Sequence, residues 1–232
     1  MNIADIRRDY LRGGLRRTAL EADPLKQFEK WFADAGDGRS CWRRVGIALF
    51  KLWRALLGRP PADANAMVLA TVNRNGVPST RTVLLKGLDQ RGFIFYTNHD
   101  SRKGRDLLEN PNAALTFYWP DWERQVCVRG RAERIPRDEA EAYFKTRPRG
   151  SQLAAWASNQ CDVVADRAVL DAAWDAVAAK FPGAVALPPN WGGYVLNPEQ
   201  IEFWQGRPNR LHDRFQFRKQ ADNSWKLDRL AP

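Results

Sequence analysis

The 232-residue chain has few of the residues that build metal sites and disulfide frameworks: three cysteines and two histidines. Cys41, Cys127 and Cys161 lie far apart without C-x-x-C spacing, so a zinc site is disfavoured and a disulfide framework would leave one thiol unpaired. We therefore expect reduced thiols and a cytoplasmic protein. The charged stretch 1–17 lacks the apolar core of a signal peptide, and no apolar run reaches the roughly 20 residues of a membrane-spanning helix.

Nucleotide-binding motifs are missing as well. The chain has no G-x-G-x-x-G that opens a helix after a strand and no G-x-x-x-x-G-K-[ST], so neither a Rossmann dinucleotide site nor a P-loop is supported. What the chain does have is an excess of positive charge, with a net charge of +10 at pH 7. That excess favours an anionic partner, which can be a phosphorylated small molecule, a nucleic acid or an anionic membrane surface.

The chain divides into an arm and one domain. Residues 1–22 are rich in arginine and contain Gly13-Gly14, which predicts an arm, and residues 23–232 form a single domain that opens with a helix at Asp23-Pro24. Apolar and basic residues recur at helical spacing over about 39–58, which predicts a basic amphipathic helix. This helix either lies on a membrane surface or a partner, or packs on its own domain or a second subunit.

From residue 67 onward the pattern is mainly that of strands, and Asn75-Gly76 is a hairpin signal. The predicted helices are 102–109, capped by Ser101, then 137–146 and about 163–181. Antiparallel hairpins with helices inserted late predict an α+β domain, mainly β, with a closed or nearly closed sheet. The predicted strands cover residues 67–72, 77–86, 92–97, 113–119, 124–135, 193–196, 200–205, 215–219 and 225–228.

Two groups of residues suggest phosphate binding. The strand 81–86 begins with Arg81 and ends with Lys86, and the predicted helix at 102 begins with Arg102 and Lys103 directly after the strand that contains Tyr96 and Thr97. The N-terminus of a helix exposes unpaired N–H groups, and adjacent cations add charge-assisted hydrogen bonds to an anion. Solvated strand ends and a solvated helix start explain the same residues without a ligand.

Three further groups are candidates. Gln125 opens a strand and can bond to the edge of a heteroaromatic ring, whereas the alternative is an exposed edge residue. Tyr143 and Arg147 are four apart, so we expect them on one helix face near Ser151, although ordinary helix surface is the alternative. The alternation in Arg-x-His-x-Arg predicts three side chains on one face of an extended segment, and here we favour function. This last group consists of Trp204, Arg210, His212 and Arg214.

These five groups, in this order, resemble the pyridoxine/pyridoxamine 5′-phosphate oxidase family. Arg7-Arg8-Asp9-Tyr10, Trp191-Gly192-Gly193 and the terminal Arg-Leu-Ala-Pro extend the resemblance to nearly everything except about residues 37–62. The resemblance implies an FMN-binding split β-barrel with peripheral helices and a homodimer with FMN at the interface. It also implies oxidation of pyridoxamine and pyridoxine 5′-phosphates to pyridoxal 5′-phosphate, by hydride transfer from C4′ to the flavin N5. Oxygen would be the acceptor and hydrogen peroxide a product, in the biosynthesis and salvage of vitamin B6.

The resemblance also implies roles for single residues. Arg210 and His212 would be the catalytic positions and would orient the pyridine ring, although His212 is not assigned as an obligatory base. The implied FMN contacts are Arg81, Thr82, Val83, Leu84, Leu85, Lys86, Tyr96, Thr97, Arg102, Lys103, Gln125, Gln160, Cys161, Trp204 and Arg214. The implied substrate contacts are Arg7, Arg8, Asp9, Tyr10, Lys86, Tyr143, Arg147, Ser151, Arg210, Leu211 and His212, of which the first four would close over the site.

The chain departs from the family pattern in three places. The helix predicted at 39–58 looks like an insertion. Cys161 stands where the family usually has Ser beside Gln160, and because a thiol is a weaker donor we expect a lower FMN affinity. Asp9 stands where Glu is usual, which shortens its reach.

Three alternatives to this oxidase remain: another flavin enzyme on the same barrel, a non-catalytic carrier of pyridoxal phosphate, and a nucleic-acid module. The first alternative is disfavoured by two intact sets, Arg210 to His212 and the group of Tyr143, Arg147 and Ser151. Nucleic-acid modules usually gather their basic residues in one patch or stripe. The scattered arginines of this chain therefore disfavour the last one, and we expect no nucleic-acid partner.

Overall fold

The computed structural model describes residues 9–11, 13–37 and 63–232. Arg7 and Arg8 of the predicted arm, Cys41 and the helix predicted at 39–58 lie outside the described residues. The helices are α1 (Pro24–Asp37), α2 (Arg102–Glu109), α3 (Arg137–Thr146), α4 (Arg149–Ala157) and α5 (Arg167–Lys180). The strands are β1 (Ala66–Val72), β2 (Pro78–Leu84), β3 (Gly87–Asp89), β4 (Gly92–Asn98), β5 (Asn112–Trp119), β6 (Arg124–Arg134), β7 (Trp191–Gln205), β8 (Asp213–Lys219) and β9 (Trp225–Leu230).

The nine strands of the described residues belong to one antiparallel sheet in the order β2-β1-β5-β6-β7-β4-β3, and β8 and β9 branch from β7. The branch exists because β7 is long: its first half pairs with β4, its second half pairs with β8, and its other edge pairs with β6. Lys86 N donates to Ile94 O at 2.8 Å, which brings the end of β2 against β4. The sheet therefore curls back on itself as a split β-barrel with peripheral helices, which confirms the predicted fold class.

The core lies inside the curled sheet. Alternate residues of β5, β6 and the second half of β7 are buried, whereas their neighbours face outward, as a strand with one buried face requires. The first six residues of β7 are all buried. Helix α1 covers one end of this core, because Phe28 packs 4.8 Å from Phe117 and Trp31 packs 5.2 Å from Phe203, measured between ring centroids. The outward faces of the same strands remain free to build a site.

Local signals position the turns as predicted. Ser101 caps α2 by accepting a hydrogen bond from Gly104 N, and Asn75-Gly76 joins β1 to β2 with Gly76 at a φ of 78°. Gly92 has a φ of 133°, and a Cβ there would lie 2.0 Å from Leu196 O. Only glycine therefore lets β4 begin so close to β7.

Predictions of local structure were wrong in several places. Helix α4 was not predicted, and β7 is one strand where two were predicted, because a bulge at Arg129/Gly130 lets Pro198 pair within the sheet. Arg147 does not lie on the helix face that carries Tyr143. It follows the last residue of α3 with a ψ of 146°, since the next residue is Pro148, which disfavours a helical conformation before it.

Candidate functional site

A cavity of about 1110 Å³ lies between β2, β4, the start of α2 and the segment 143–161. We call it the cation-lined cavity, because its lining includes five cationic side chains and, among the described residues, no carboxylate. The five cations are Arg81, Lys86, Arg102, Lys103 and Arg147. A concentration of positive charge in a lining without carboxylates attracts an anion with several charges.

Lys103 lies at one end of the cavity and is only 7% exposed. Its Nζ donates to Gln160 Oε1 at 2.8 Å and to Thr97 Oγ1 at 3.0 Å, and it has no carboxylate within 4 Å among the described residues. Burial lowers the pKa of Lys103. A buried ammonium group that has only neutral partners is costly unless an anion completes its surroundings.

Arg81 reaches the same end of the cavity from β2. Its Nη1 donates to Thr71 Oγ1 at 2.7 Å, and its Nη2 lies 3.9 Å from Asp106 Oδ2. Burial lowers the pKa of Arg81, although Asp106 opposes this effect. Together with Arg102 at the start of α2, Arg81 and Lys103 form a cationic cradle at a helix N-terminus, which is a favourable arrangement for a phosphate.

The other end of the cavity is aromatic. The rings of Tyr96 and Tyr143 stack with centroids 3.8 Å apart, and Trp191 lies parallel to Tyr96 at 5.5 Å. The Arg147 guanidinium carbon lies 4.6 Å from the Trp191 centroid. Burial raises the pKa of Tyr96 to about 12, so its hydroxyl stays protonated as a donor at neutral pH. Ser151 of α4 lines the cavity beside this group.

A second group of residues, which we call the C-terminal cluster, does not line the cavity. It consists of Tyr10, Gln125, Trp204, Arg210, Leu211, His212 and Arg214, while Asp9 is the exposed residue before Tyr10. Tyr10 meets the rings of Trp204 and His212 edge-on at 5.6 and 5.4 Å, so the described part of the arm does pack on predicted site residues. Leu211 is 69% exposed.

The prediction of an extended segment through Arg210 and His212 was wrong. A 3₁₀ turn covers Pro208–Arg210, in which Asn209 and Arg210 have φ values of 57° and 60°. The turn lets Arg207 N donate to His212 Nδ1 at 3.1 Å, so the neutral imidazole carries its proton on Nε2. Burial, and then Arg210, lowers the pKa of His212, which favours that neutral form.

Arg214 is held on the outward face of the sheet. Its Nε and Nη2 donate to the two carboxylate oxygens of Glu202 at 2.8 and 3.1 Å, and this pairing raises the pKa of Arg214. Trp204 lies between Arg214 and Gln125 in the strand register, so the three side chains form a row across β6, β7 and β8.

Asp213 ties the arm to the C-terminal hairpin. Its carboxylate accepts from Leu15 N at 2.9 Å and from Arg229 Nη2 at 2.5 Å, and it lies 3.6 Å from Arg207 Nε. No local pattern could predict these contacts of Asp213, because its partners lie up to 198 positions away.

The predicted site residues therefore separate into two places within one chain. The cavity brings together Arg81, Thr82, Val83, Leu84, Lys86, Tyr96, Thr97, Arg102, Lys103, Tyr143, Arg147, Ser151, Gln160 and Cys161. Leu85 does not line the cavity and is buried in the core. Analysis of the sequence missed Trp191 as a cavity residue, although the aromatic residue in Trp191-Gly192-Gly193 was part of the resemblance.

Comparison with known proteins identifies the family. Residues 55–181 match the family described as pyridoxamine 5′-phosphate oxidase, and residues 191–232 match the pyridoxine 5′-phosphate oxidase C-terminal dimerisation region. The chain belongs to the pyridoxine/pyridoxamine 5′-phosphate oxidase family. Membership makes it an oxidoreductase that binds a flavin, and the dimerisation region indicates a homodimer.

The similarity to curated relatives extends over the full chain. The pyridoxine/pyridoxamine 5′-phosphate oxidase of Ralstonia pickettii is 48% identical over 231 residues, which cover 100% of this chain and 99% of that protein. The Streptomyces avermitilis protein of the same name is 46% identical, with 99% and 96% covered. The predicted resemblance to this family is thereby confirmed.

Two solved structures share the architecture. PhzG from Burkholderia lata 383, solved with tetrahydrophenazine-1-carboxylic acid, is 28% identical with a TM-score of 0.80 and covers 94% of this chain and 98% of its own. A pyridoxamine 5′-phosphate oxidase-related protein from Nostoc punctiforme is 16% identical with a TM-score of 0.66, covers 92% of this chain and 100% of its own, and supports the fold alone. No helix in the described ranges is long and apolar enough to cross a membrane.

Proposed function

We propose that this chain oxidises pyridoxamine 5′-phosphate and pyridoxine 5′-phosphate to pyridoxal 5′-phosphate, with FMN as cofactor, oxygen as acceptor and hydrogen peroxide as product. The observation that carries the proposal is the pair of anion-binding groups in one cavity. Arg81, Arg102 and Lys103 gather at one end, and Arg147 lies with Tyr143 and Ser151 at the other. A phosphorylated cofactor and a phosphorylated substrate that react with each other need two such groups close together.

The residues present fit both phosphates. Lys103 is a buried ammonium group without a carboxylate partner in the described part, and Arg147 Nη1 is a buried donor without any hydrogen-bond partner there. An anion at either position would supply the missing acceptor or countercharge. When bound, FMN would supply the redox chemistry, which consists of hydride acceptance from the substrate C4′ at N5 and electron transfer to oxygen.

We assign the remaining roles by position. In the cofactor site, Thr82 to Leu84 would line the flavin, Gln160 and Cys161 would complete the phosphate cradle, and Tyr96 and Thr97 would contact FMN from β4. Lys86, Tyr143, Arg147 and Ser151 would hold the substrate phosphate. Each group acts by orientation and charge, so the protein prepares the geometry that hydride transfer needs.

The C-terminal cluster would complete the site from the second copy of the chain. Gln125, Trp204 and Arg214 would contact the flavin, and Arg210, Leu211 and His212 would position the pyridine ring. A C-terminal dimerisation region supports this arrangement, as does the outward exposure of Leu211. Because His212 Nδ1 already accepts a hydrogen bond, His212 would donate through Nε2 and hold the substrate in place. The arm residues 7–10 would then close over the bound substrate.

The spectrum of the purified protein tests this function. We expect a flavin absorption spectrum that bleaches when pyridoxamine 5′-phosphate is added without oxygen and returns in air as peroxide appears. Unphosphorylated pyridoxamine at the same concentration is the matched control and should bleach the flavin far more slowly. A flavin that stays oxidised with both phosphorylated vitamers would reject the substrate, and a protein that cannot be loaded with FMN would reject the cofactor.

The similarity to PhzG suggests a second candidate substrate for the same bleaching experiment. That protein was solved with a tricyclic carboxylic acid, and a carboxylate can also pair with Arg147. The presence of Lys86, Tyr143 and Ser151 in the cavity favours the larger charge of a phosphate. We therefore expect a reduced phenazine carboxylate to bleach the flavin more slowly than pyridoxamine 5′-phosphate does.

A further inference from the structure

Two buried polar residues lie behind the cation-lined cavity without lining it. Thr71 at the end of β1 has no exposed surface, and Asp106 on α2 is 6% exposed. Thr71 Oγ1 donates to Asp106 Oδ2 at 2.6 Å. The carboxylate of Asp106 accepts the hydrogen bond that the Thr71 hydroxyl donates. The lone pairs of the hydroxyl oxygen point away from this bond, so the oxygen can accept a hydrogen bond from another group.

Arg81 uses that acceptor. Its Nη1 donates to Thr71 Oγ1 at 2.7 Å and approaches Leu69 O at 3.4 Å, so the guanidinium is anchored across β1. A long arginine side chain loses much conformational entropy when it is ordered. If the guanidinium is already ordered in the free protein, ligand binding does not require this loss of entropy again. The hydrogen bonds to β1 therefore preorganise Arg81 for binding an anion.

Asp106 connects this anchor to the other cations of the cradle. It lies on α2, about one helical turn after Arg102 and Lys103. The Asp106 carboxylate thus links a cation from β2 to the helix that carries the two other cations. The three positive groups are held in one arrangement, although they come from segments about twenty positions apart in the sequence.

We propose that Thr71 and Asp106 are positioning residues that fix the Arg81 guanidinium for the cofactor phosphate, and that they thereby make the site prefer FMN over riboflavin. This inference rests on the proposed function, in which the cradle binds the phosphate of FMN. Neither residue touches the ligand. Their effect is therefore expected on the part of the affinity that depends on the phosphate, and not on the part that depends on the flavin ring.

The first experiment compares the dissociation constants of FMN and riboflavin for the flavin-free dimer, measured by quenching of flavin fluorescence. Thr71→Val keeps the shape of the side chain but removes the acceptor for Arg81. We expect it to weaken FMN binding about tenfold, the order expected for the loss of a hydrogen bond to a charged group. Riboflavin binding should stay unchanged. Thr71→Ser keeps the hydroxyl and should bind both flavins as the unmodified protein does.

A second pair of variants keeps the test decisive if Thr71→Val does not fold, since that change leaves the Asp106 carboxylate without its donor. Asp106→Asn removes the charge but retains an oxygen that accepts from Thr71. The double variant Thr71→Val/Asp106→Asn differs from it only in the hydroxyl. We expect the double variant to bind FMN about tenfold more weakly than Asp106→Asn does, again with equal riboflavin affinity.

Two results would overturn the inference in distinguishable ways. Equal loss of FMN and riboflavin affinity, or no loss of either, would show that Thr71 has a purely structural role or none, while the cofactor assignment would stand. An unmodified protein that binds riboflavin as tightly as FMN would instead reject the phosphate cradle itself, and the proposed cofactor with it.

Discussion

The guanidinium of Arg147 stacks on the ring of Trp191, with its carbon 4.6 Å from the ring centroid, while its Nη1 is buried and lacks a hydrogen-bond partner among the described residues. Burial lowers the pKa of Arg147. An unsatisfied buried donor costs roughly 1–3 kcal/mol, and the aromatic face offsets only part of that cost. The guanidinium is therefore positioned on Trp191 with one N–H donor free to bind an anionic ligand.

The first prediction concerns this cation. Arg147→Met should raise KM for pyridoxamine 5′-phosphate by about tenfold to a hundredfold, because a hydrogen bond to a charged group contributes roughly 1.5–3 kcal/mol. Activity with unphosphorylated pyridoxamine should change little. The KM of Arg147→Lys for pyridoxamine 5′-phosphate should lie between those of the unmodified protein and Arg147→Met. Steady-state kinetics with both substrates checks this. An equal loss with both would show that Arg147 does not recognise the phosphate.

The second prediction concerns His99, whose ring packs 5.2 Å from Tyr194 and whose Nδ1 is buried without a partner in the described part. Burial, with smaller contributions from Arg134 and Arg137, lowers the pKa of His99 to about 4, although Asp100 opposes the shift. The unfolded chain, with a pKa near 6.5, binds a proton that the folded chain excludes. Stability should therefore be lost as the pH falls from about 6.5 to 4, by on the order of 2 kcal/mol.

The measurement for His99 is urea unfolding between pH 7 and pH 4 at one fixed protein concentration, since the chain is a dimer. His99→Gln removes the titrating group, so its stability should fall less over that range than that of the unmodified protein. The difference between the two curves isolates His99 from the carboxylates, which titrate in both. Parallel curves would contradict the assignment.

The third prediction concerns Cys161, which is exposed at the edge of the cavity and adopts a φ of 83°. Because a hydroxyl is a better hydrogen-bond donor than a thiol, Cys161→Ser should tighten FMN binding by roughly twofold to tenfold. Fluorescence titration measures the change, and Cys161→Ala, which removes the thiol without supplying a hydroxyl, is the matched control. Unchanged affinity in Cys161→Ser would place the side chain outside the cofactor's reach.

The sequence predicted the elements that carry strong local signals. Helix α2 and helix α3 have the predicted boundaries, since Ser101 caps the first and Pro136 precedes the second. Helix α4 was missed although Pro148 precedes it as Pro136 precedes α3, because α4 buries only Leu153 and so has no clear apolar period. It packs against α5, a contact that no local pattern reports.

The candidate site was predictable in part for the same reason. The cations of the cradle could be found because they stand at strand and helix ends, where local rules apply. The pairing of Thr71 with Asp106 could not be found, because the two residues are 35 positions apart and meet only after β1 and α2 pack together. The turn at Arg210 could not be predicted either. The alternation in Arg-x-His-x-Arg indicates an extended segment, whereas Asn209 and Arg210 adopt left-handed backbone conformations.

The separation of the cation-lined cavity from the C-terminal cluster has a genetic consequence. If each active centre combines the cavity of one copy with the C-terminal cluster of the other, two variants with damage in different halves, each with little activity at low substrate concentration, should complement each other. Co-expressed Arg147→Met and Arg214→Met chains would pair at random, and half of the dimers would hold one undamaged centre. About a quarter of the normal activity at low substrate concentration should return, as the two-fold symmetry of the dimer requires, well above the activity of either variant alone.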